Sequence, residues 1–250
     1  MSRFKSILIT GASSGIGAAL AVDYAAAGVR LALTGRDTAR LEAVAATCRA
    51  RGATVDTATI DVTDREAFAV WLGAQDAAHP FDLVIANAGV ALEKGRDLGD
   101  GAALRRTLEI NVDGVLNTIL PLLPAMRARR AGQVAIVSSL AGFVGLPLAP
   151  GYNASKAAVR ILAESLRLQL RRDGVGVTAV CPGFVVSPMT DGNKFPMPFL
   201  MPVARASAII RRGLERDRAR IAFPWPLRAG VWLAQALPAA LSSRLLGRAA

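Results

Sequence analysis

Tyr152 and Lys156 stand four residues apart in the run Gly151-Tyr152-Asn153-Ala154-Ser155-Lys156, thirteen residues beyond Ser139. On a helix, positions i and i+4 share a face, so the Lys156 ammonium can lie beside the Tyr152 phenol and favour its ionised form. A free tyrosine titrates near about 10 and is a poor base at neutral pH. A neighbouring cation moves it toward the range where a proton passes efficiently to or from an alcohol oxygen. The pair could therefore do proton transfer at a hydroxyl or carbonyl; the plain alternative is a Tyr and a Lys on a solvated helix.

Such a pair works only if a scaffold brings it to a ligand. Short aliphatic runs alternate with longer alanine- and leucine-rich stretches along the chain. The rhythm predicts strands at Ser6–Thr10, Val29–Thr34, Thr54–Ile60, Asp82–Ala86, Val134–Ser138, Val175–Val180 and Arg220–Phe223. Helices are expected at Ala18–Ala27, Ala39–Arg51, Asp64–Ala74, Ala102–Ala128, Tyr152–Arg172 and Val203–Glu215. Strands this apolar are buried on both faces by crossover helices. The fold class is therefore α/β, a single doubly wound parallel sheet of about seven strands with helices on both faces. Ligands of such sheets bind at the carboxyl ends of the strands.

After the first strand comes Thr10-Gly11-Ala12-Ser13-Ser14-Gly15-Ile16-Gly17, opening straight into a helical pattern. The glycines permit a tight turn and close backbone approach, and the helix N-terminus offers N–H groups to a pyrophosphate. At the end of the second strand, Gly35 occupies the position where an acid would hold ribose hydroxyls, and Arg36 follows. A guanidinium there suits bidentate contact with a 2′-phosphate, which favours NADP(H) over NAD(H). The plain alternative has Arg36 in solvent and Asp37 starting the next helix.

Together, Thr10 to Gly17, Asn87-Ala88-Gly89, Asn111, Ser139, Tyr152 and Lys156 make the chain resemble the classical short-chain dehydrogenase/reductase family. The likeness runs from the first strand to about Pro182-Gly183 and more loosely beyond. It implies a Rossmann fold and a catalytic tetrad of Asn111, Ser139, Tyr152 and Lys156. In that tetrad Tyr152 is the general acid/base, and Lys156 lowers its pKa and binds the nicotinamide ribose. Ser139, rather than Ser138, contacts the substrate oxygen. Asn111 would hold a water linking Lys156 to solvent, or else be a helix-kink asparagine bonding backbone.

The same resemblance assigns Gly11, Ser13, Ser14, Gly15, Ile16 and Gly17 to the pyrophosphate turn and Arg36 to the adenosine end. Asp61 and Val62 become an adenine-contacting pair, and Asn87, Ala88 and Gly89 line the cofactor cleft. Pro182, Gly183, Val185 and Ser187 resemble the family's turn near the nicotinamide and phosphate, with Ser187 in place of a threonine. Ala86 departs from the pattern, since the family usually carries asparagine there.

A chain of 250 residues without linker, low-complexity tract or repeat reads as one domain over 1–250. Within it, 187–217 is expected to form a substrate lid and 221–250 an apolar and basic C-terminal extension. Methionines and phenylalanines between Ser187 and Pro202 imply an apolar mouth and a small lipophilic substrate, or else ordinary packing of a proline-rich loop. From Ile221 to Leu241 only Arg228 is charged, but Pro224, Pro226 and Pro238 are expected to break any continuous helix. The uses open to this segment are contact with anionic lipid, roofing of the pocket, or burial against another subunit.

Thirty basic against 19 acidic residues give a net charge of +11, which favours anionic partners. Aromatic residues make up only 5% and are not interleaved with the arginines, so no nucleic acid is expected. The N-terminus carries no secretion signal, Cys48 and Cys181 lie far apart, and the single His79 stands alone before Pro80. These predict no metal, no disulfide and a cytoplasmic setting, with peripheral contact at the membrane surface. The resemblance adds a homodimer or homotetramer.

The activity expected is an NADP(H)-preferring interconversion of a hydrophobic secondary alcohol and its ketone. The competitors are a 3-oxoacyl thioester reductase and a non-catalytic NADP-binding regulator.

Overall fold

The computed structural model describes residues 2–93, 101–191, 193, 195–238 and 240–242. Parts of the expected lid and extension, namely 192, 194, 239 and 243–250, lie outside the described residues. Seven parallel strands form one sheet: β1 (Ser6–Thr10), β2 (Arg30–Gly35), β3 (Thr54–Thr59), β4 (Leu83–Ala86), β5 (Gln133–Val137), β6 (Gly176–Pro182) and β7 (Arg220–Phe223). Their spatial order is β3-β2-β1-β4-β5-β6-β7. The order reverses between β1 and β4, which opens a crevice at the carboxyl edge there.

Alternate residues of each strand enter opposite layers of the core. Ile7, Ile9, Leu31 and Leu33 pack on one side, with Leu20 of α1 (Gly15–Tyr24), Leu41 of α2 (Thr38–Ala50) and Ile210 and Leu214 of α8 (Val203–Glu215). Leu8, Val84 and Ile136 pack on the other, with Phe68 and Leu72 of α3 (Arg65–Ala78) and Val159 of α7 (Pro150–Leu170). Burial on both faces explains why the central strands read as nearly unbroken apolar runs, whereas the edge strand β3 is polar and half exposed.

One expectation about helices is corrected. The stretch Ala102–Ala128 is not one helix but α4 (Ala102–Leu108), a π-helical turn at Glu109–Asp113, α5 (Gly114–Ile119) and α6 (Leu123–Arg129). Pro121 lacks the N–H that a continuing helix would need, and Pro124 sits in the first turn of α6, where that loss is harmless. The prolines between 221 and 241 limit the helix there to α9 (Trp225–Ala236): Pro224 is its N-cap, Pro226 sits in the first turn where a missing N–H is harmless, and Pro238 lies beyond its end. No helix among the described residues is long and apolar enough to cross a membrane.

Candidate active site

The glycine turn between β1 and α1 is built by contact across the crevice. Gly11 and Gly15 take positive φ of 65° and 54°, and a Cβ on Gly11 would come within 2.8 Å of the Ala88 Cα. A side chain on Gly17 would collide with the Gly11 carbonyl. Thr10 locks the two edges together, its hydroxyl accepting from the N–H groups of Asn87 at 3.0 Å and Ala88 at 3.1 Å. Asn87 returns two bonds from Nδ2 to the carbonyls of Thr10 and Gly11. Ser14 is extended before α1 and its side chain does not cap the helix. The first-turn N–H groups of Gly15, Ile16 and Gly17 thus face the turn where an anion would sit.

At the end of β2, the Ser13 side chain lies 3.1 Å from where a Gly35 Cβ would stand, so the strand end abuts the glycine turn. Arg36 is exposed beyond it. Asp61 accepts from the Thr63 N–H and hydroxyl and pairs with Arg106 at 2.9 Å. Burial alone would raise the Asp61 pKa. The Thr63 hydrogen bonds, with the charges of Arg106 and Arg36, outweigh it and hold the carboxyl below its ordinary value. Val62 packs on Gly114, and its carbonyl accepts from Asn117.

The proton-transfer residues gather at the carboxyl ends of β4, β5 and β6. Tyr152 and Lys156 share one face of α7, with Nζ 5.7 Å from the centre of the phenol ring. Lys156 is buried and donates to the Val137 carbonyl at 2.9 Å. Ser139 accepts from the Ala141 N–H, donates to the Pro182 carbonyl at 3.4 Å, and acts to lower the Tyr152 pKa. Ser138 instead donates to the Lys156 carbonyl at 2.7 Å, tying β5 to α7. Gly89 lets the backbone pass, since a Cβ there would stand 3.0 Å from Asn111 Oδ1 and 3.1 Å from Lys156 Nζ.

Asn111 lies in the π turn with its side chain fully buried. Its amide accepts from the Val90 N–H at 2.8 Å and donates to the Val90 carbonyl and to Ser155 Oγ, both at 2.9 Å. In this structure it is a brace between the β4 loop and α7. Gly183 donates to the Phe223 carbonyl, Val185 bridges to Met201, and Ser187 packs against Gly15, which closes the crevice from the lid side.

The electrostatics differ from the expectation that a lysine cation acidifies the tyrosine. Burial raises the Tyr152 pKa, opposed only by the Ser139 hydrogen bond, and burial lowers Lys156 to about 8. Both shifts favour the neutral forms. The phenol is accordingly held protonated through neutral pH.

Two positioning residues escaped the sequence reading. The Glu93 carboxylate accepts from the Tyr152 N–H at 2.9 Å and from the Thr107 hydroxyl at 2.8 Å. A negative group at the N-terminus of α7 is favoured there by the helix dipole. Ser155 accepts from Asn111 and donates to the Tyr152 carbonyl. A charged residue closing the apolar run Val90-Ala91-Leu92 was the available signal for Glu93. Glu93→Leu orphans the Tyr152 N–H and is expected to cost about 1–3 kcal/mol of stability and to lower kcat more than it raises KM. Glu93→Gln, which keeps an acceptor, should restore most of both; equal loss in the two variants would reject the positioning role.

The cradle fits a dinucleotide: tight glycine backbone, helix N–H groups and an exposed arginine at the adenosine end. Residues 5–195 match the family model described as short chain dehydrogenase. An uncharacterized oxidoreductase of Myxococcus xanthus is 41% identical over 94% of this chain and 93% of its own. A short-chain dehydrogenase from Sphingobium yanoikuyae in complex with NADPH superposes with a TM-score of 0.82 at 27% identity, over 97% of this chain and 95% of that one. One from Mycobacterium paratuberculosis bound to NAD gives 0.77 at 25% identity, over 87% and 94%. With this sheet order, glycine turn and family match, the chain belongs to the short-chain dehydrogenase family and is a nicotinamide-dependent oxidoreductase.

Proposed function

We propose that the protein reduces a lipophilic ketone to its secondary alcohol, preferring NADPH to NADH, with Tyr152 as the general acid. The observation that carries this reading is the Tyr152 phenol beside Ser139 and Lys156, kept protonated by burial at the sheet's carboxyl edge. When bound, the nicotinamide coenzyme supplies a hydride to the carbonyl carbon. Ser139 donates a hydrogen bond to the carbonyl oxygen as negative charge grows there, and Tyr152 gives that oxygen its proton. Lys156 orients the nicotinamide ribose. Phe184 and Phe195 lie 6.0 Å apart beside the start of the lid, and Met189, Phe199 and Leu200 are exposed around the mouth, which supports an apolar substrate.

The test is turnover by purified protein over ketones graded in size and polarity, with NADPH and NADH in parallel. Absence of reduction across the panel with both coenzymes would reject the reading. For coenzyme choice, Arg36→Ala should lower kcat/KM with NADPH by about 10- to 100-fold, as expected for a charged phosphate contact. The NADH value should stay nearly constant. Equal losses with both would remove Arg36 from phosphate recognition.

A second reading follows from the net charge of +11, which suits recruitment of an acidic acyl-carrier protein by a 3-oxoacyl thioester reductase. Strong salt inhibition confined to carrier-linked substrates would favour it over the free ketone.

A further inference from the structure

We infer that α9 and the rim of the lid form one surface that docks on an anionic phospholipid bilayer. The two segments leave the sheet side by side. Pro182 pairs with Phe223 in the β6–β7 register, so the chain enters the lid and α9 from neighbouring points on the carboxyl edge. Leu227 and Val231 pack inward on the core, and Leu227 lies against Gly183. The opposite stripe is turned out: Trp225, Trp232 and Leu233 are 74%, 69% and 57% exposed, with Arg228 exposed between the tryptophans.

At the lid, Met189, Phe199 and Leu200 are exposed as well, as is Val186 just before it. Phe199 holds a positive φ of 58°, a conformation that costs a bulky residue energy, yet its ring points to solvent rather than into the core. Packing among the described residues does not account for it.

Charge complementarity selects the occupant. Arg228 is the one charged residue of α9, and no acidic residue stands from Arg218 to Ser242. Arg220 is engaged with Glu164, and Arg228 sits in the exposed stripe. Tryptophans flanking a basic residue on a short helix suit the plane of a bilayer surface, with the rings at headgroup depth and the cation on anionic lipid. Twelve residues span about 18 Å, too short to cross. Docking in this way turns the mouth of the site toward the bilayer. Delivery of substrate from the membrane rests on the proposed reduction of a lipophilic ketone, but the binding itself does not.

The experiment is flotation of the full-length protein with vesicles of phosphatidylcholine alone and of phosphatidylcholine with phosphatidylglycerol, together with tryptophan emission. Binding to the anionic vesicles with a blue shift, weakened by salt, is expected. Arg228→Gln should reduce partitioning about fivefold, and Trp225→Ser with Trp232→Ser by about tenfold or more. Because these side chains are exposed, the variants should keep the wild-type melting temperature and turnover of a water-soluble ketone.

Failure to bind anionic vesicles, or equal binding by the tryptophan variant, overturns the proposal. So does an oligomer that dissociates in the tryptophan variant, which would make this face a subunit interface. Any of these with reduction of soluble ketones intact leaves the proposed activity standing.

Discussion

Replacing Tyr152 by Phe is expected to lower kcat for ketone reduction by roughly 10²- to 10⁴-fold while leaving NADPH affinity nearly unchanged. The substitution removes one hydroxyl and keeps the ring against which Lys156 rests. The loss therefore falls on proton delivery rather than on packing or on the glycine cradle. The pH profile adds a second readout. Because burial raises the tyrosine above its ordinary value of 10.0, the wild-type acid remains protonated throughout the neutral range. No loss of reduction traceable to this phenol is expected below about pH 10. Coenzyme affinity measured by fluorescence titration separates the two functions. A Tyr152→Phe protein that still turns over at the wild-type rate would assign the acid to another group.

Lys156→Met should have opposite effects on activity and stability. Lys156 is only 3% exposed, and burial lowers its pKa from 10.5 to about 8. The folded state therefore binds fewer protons than the unfolded chain between those values, and stability rises with pH across that window. Below about pH 8 the full cost of keeping an ammonium out of water is present, on the order of 3 kcal/mol. Methionine fills similar space without charge but leaves the Val137 carbonyl without its donor, which returns about 1 kcal/mol of the gain.

The net expectation, without added nucleotide, is a melting temperature at pH 7 raised by about 4 °C, flat from about pH 8 to 10, with reductase activity lost. A lower melting temperature at pH 7 would show that the buried ammonium is not a cost. In the wild type, coenzyme affinity should fall as pH rises through about 8, where the lysine loses its charge.

Much of this site was legible because its signals are local. The spacing of Tyr152 and Lys156 puts them on one helix face wherever that helix lies. The run from Thr10 to Gly17 announces a strand, a tight turn and a helix start within eight residues. The central strands were readable as apolar runs because both faces of each are covered, whereas the edge strand β3 is half exposed and carries Thr and Asp. Local signals misled where they depend on context. The stretch 102–128 read as one helix, and its π turn and the break before α6 appear only in the structure.

The sequence by itself determined the parallel sheet, the glycine turn and the shared helix face of Tyr152 and Lys156, since each is encoded by residues within a helical turn or a strand of one another. Only the tertiary structure decided that Asn111 braces α7 through Ser155 and that Glu93, 59 residues before Tyr152, holds its N–H. It alone decided the protonation of the pair, because desolvation is a property of what the rest of the chain packs around a group. The exposed face of α9 follows for the same reason: which side of an apolar helix meets water depends on which side the sheet has covered.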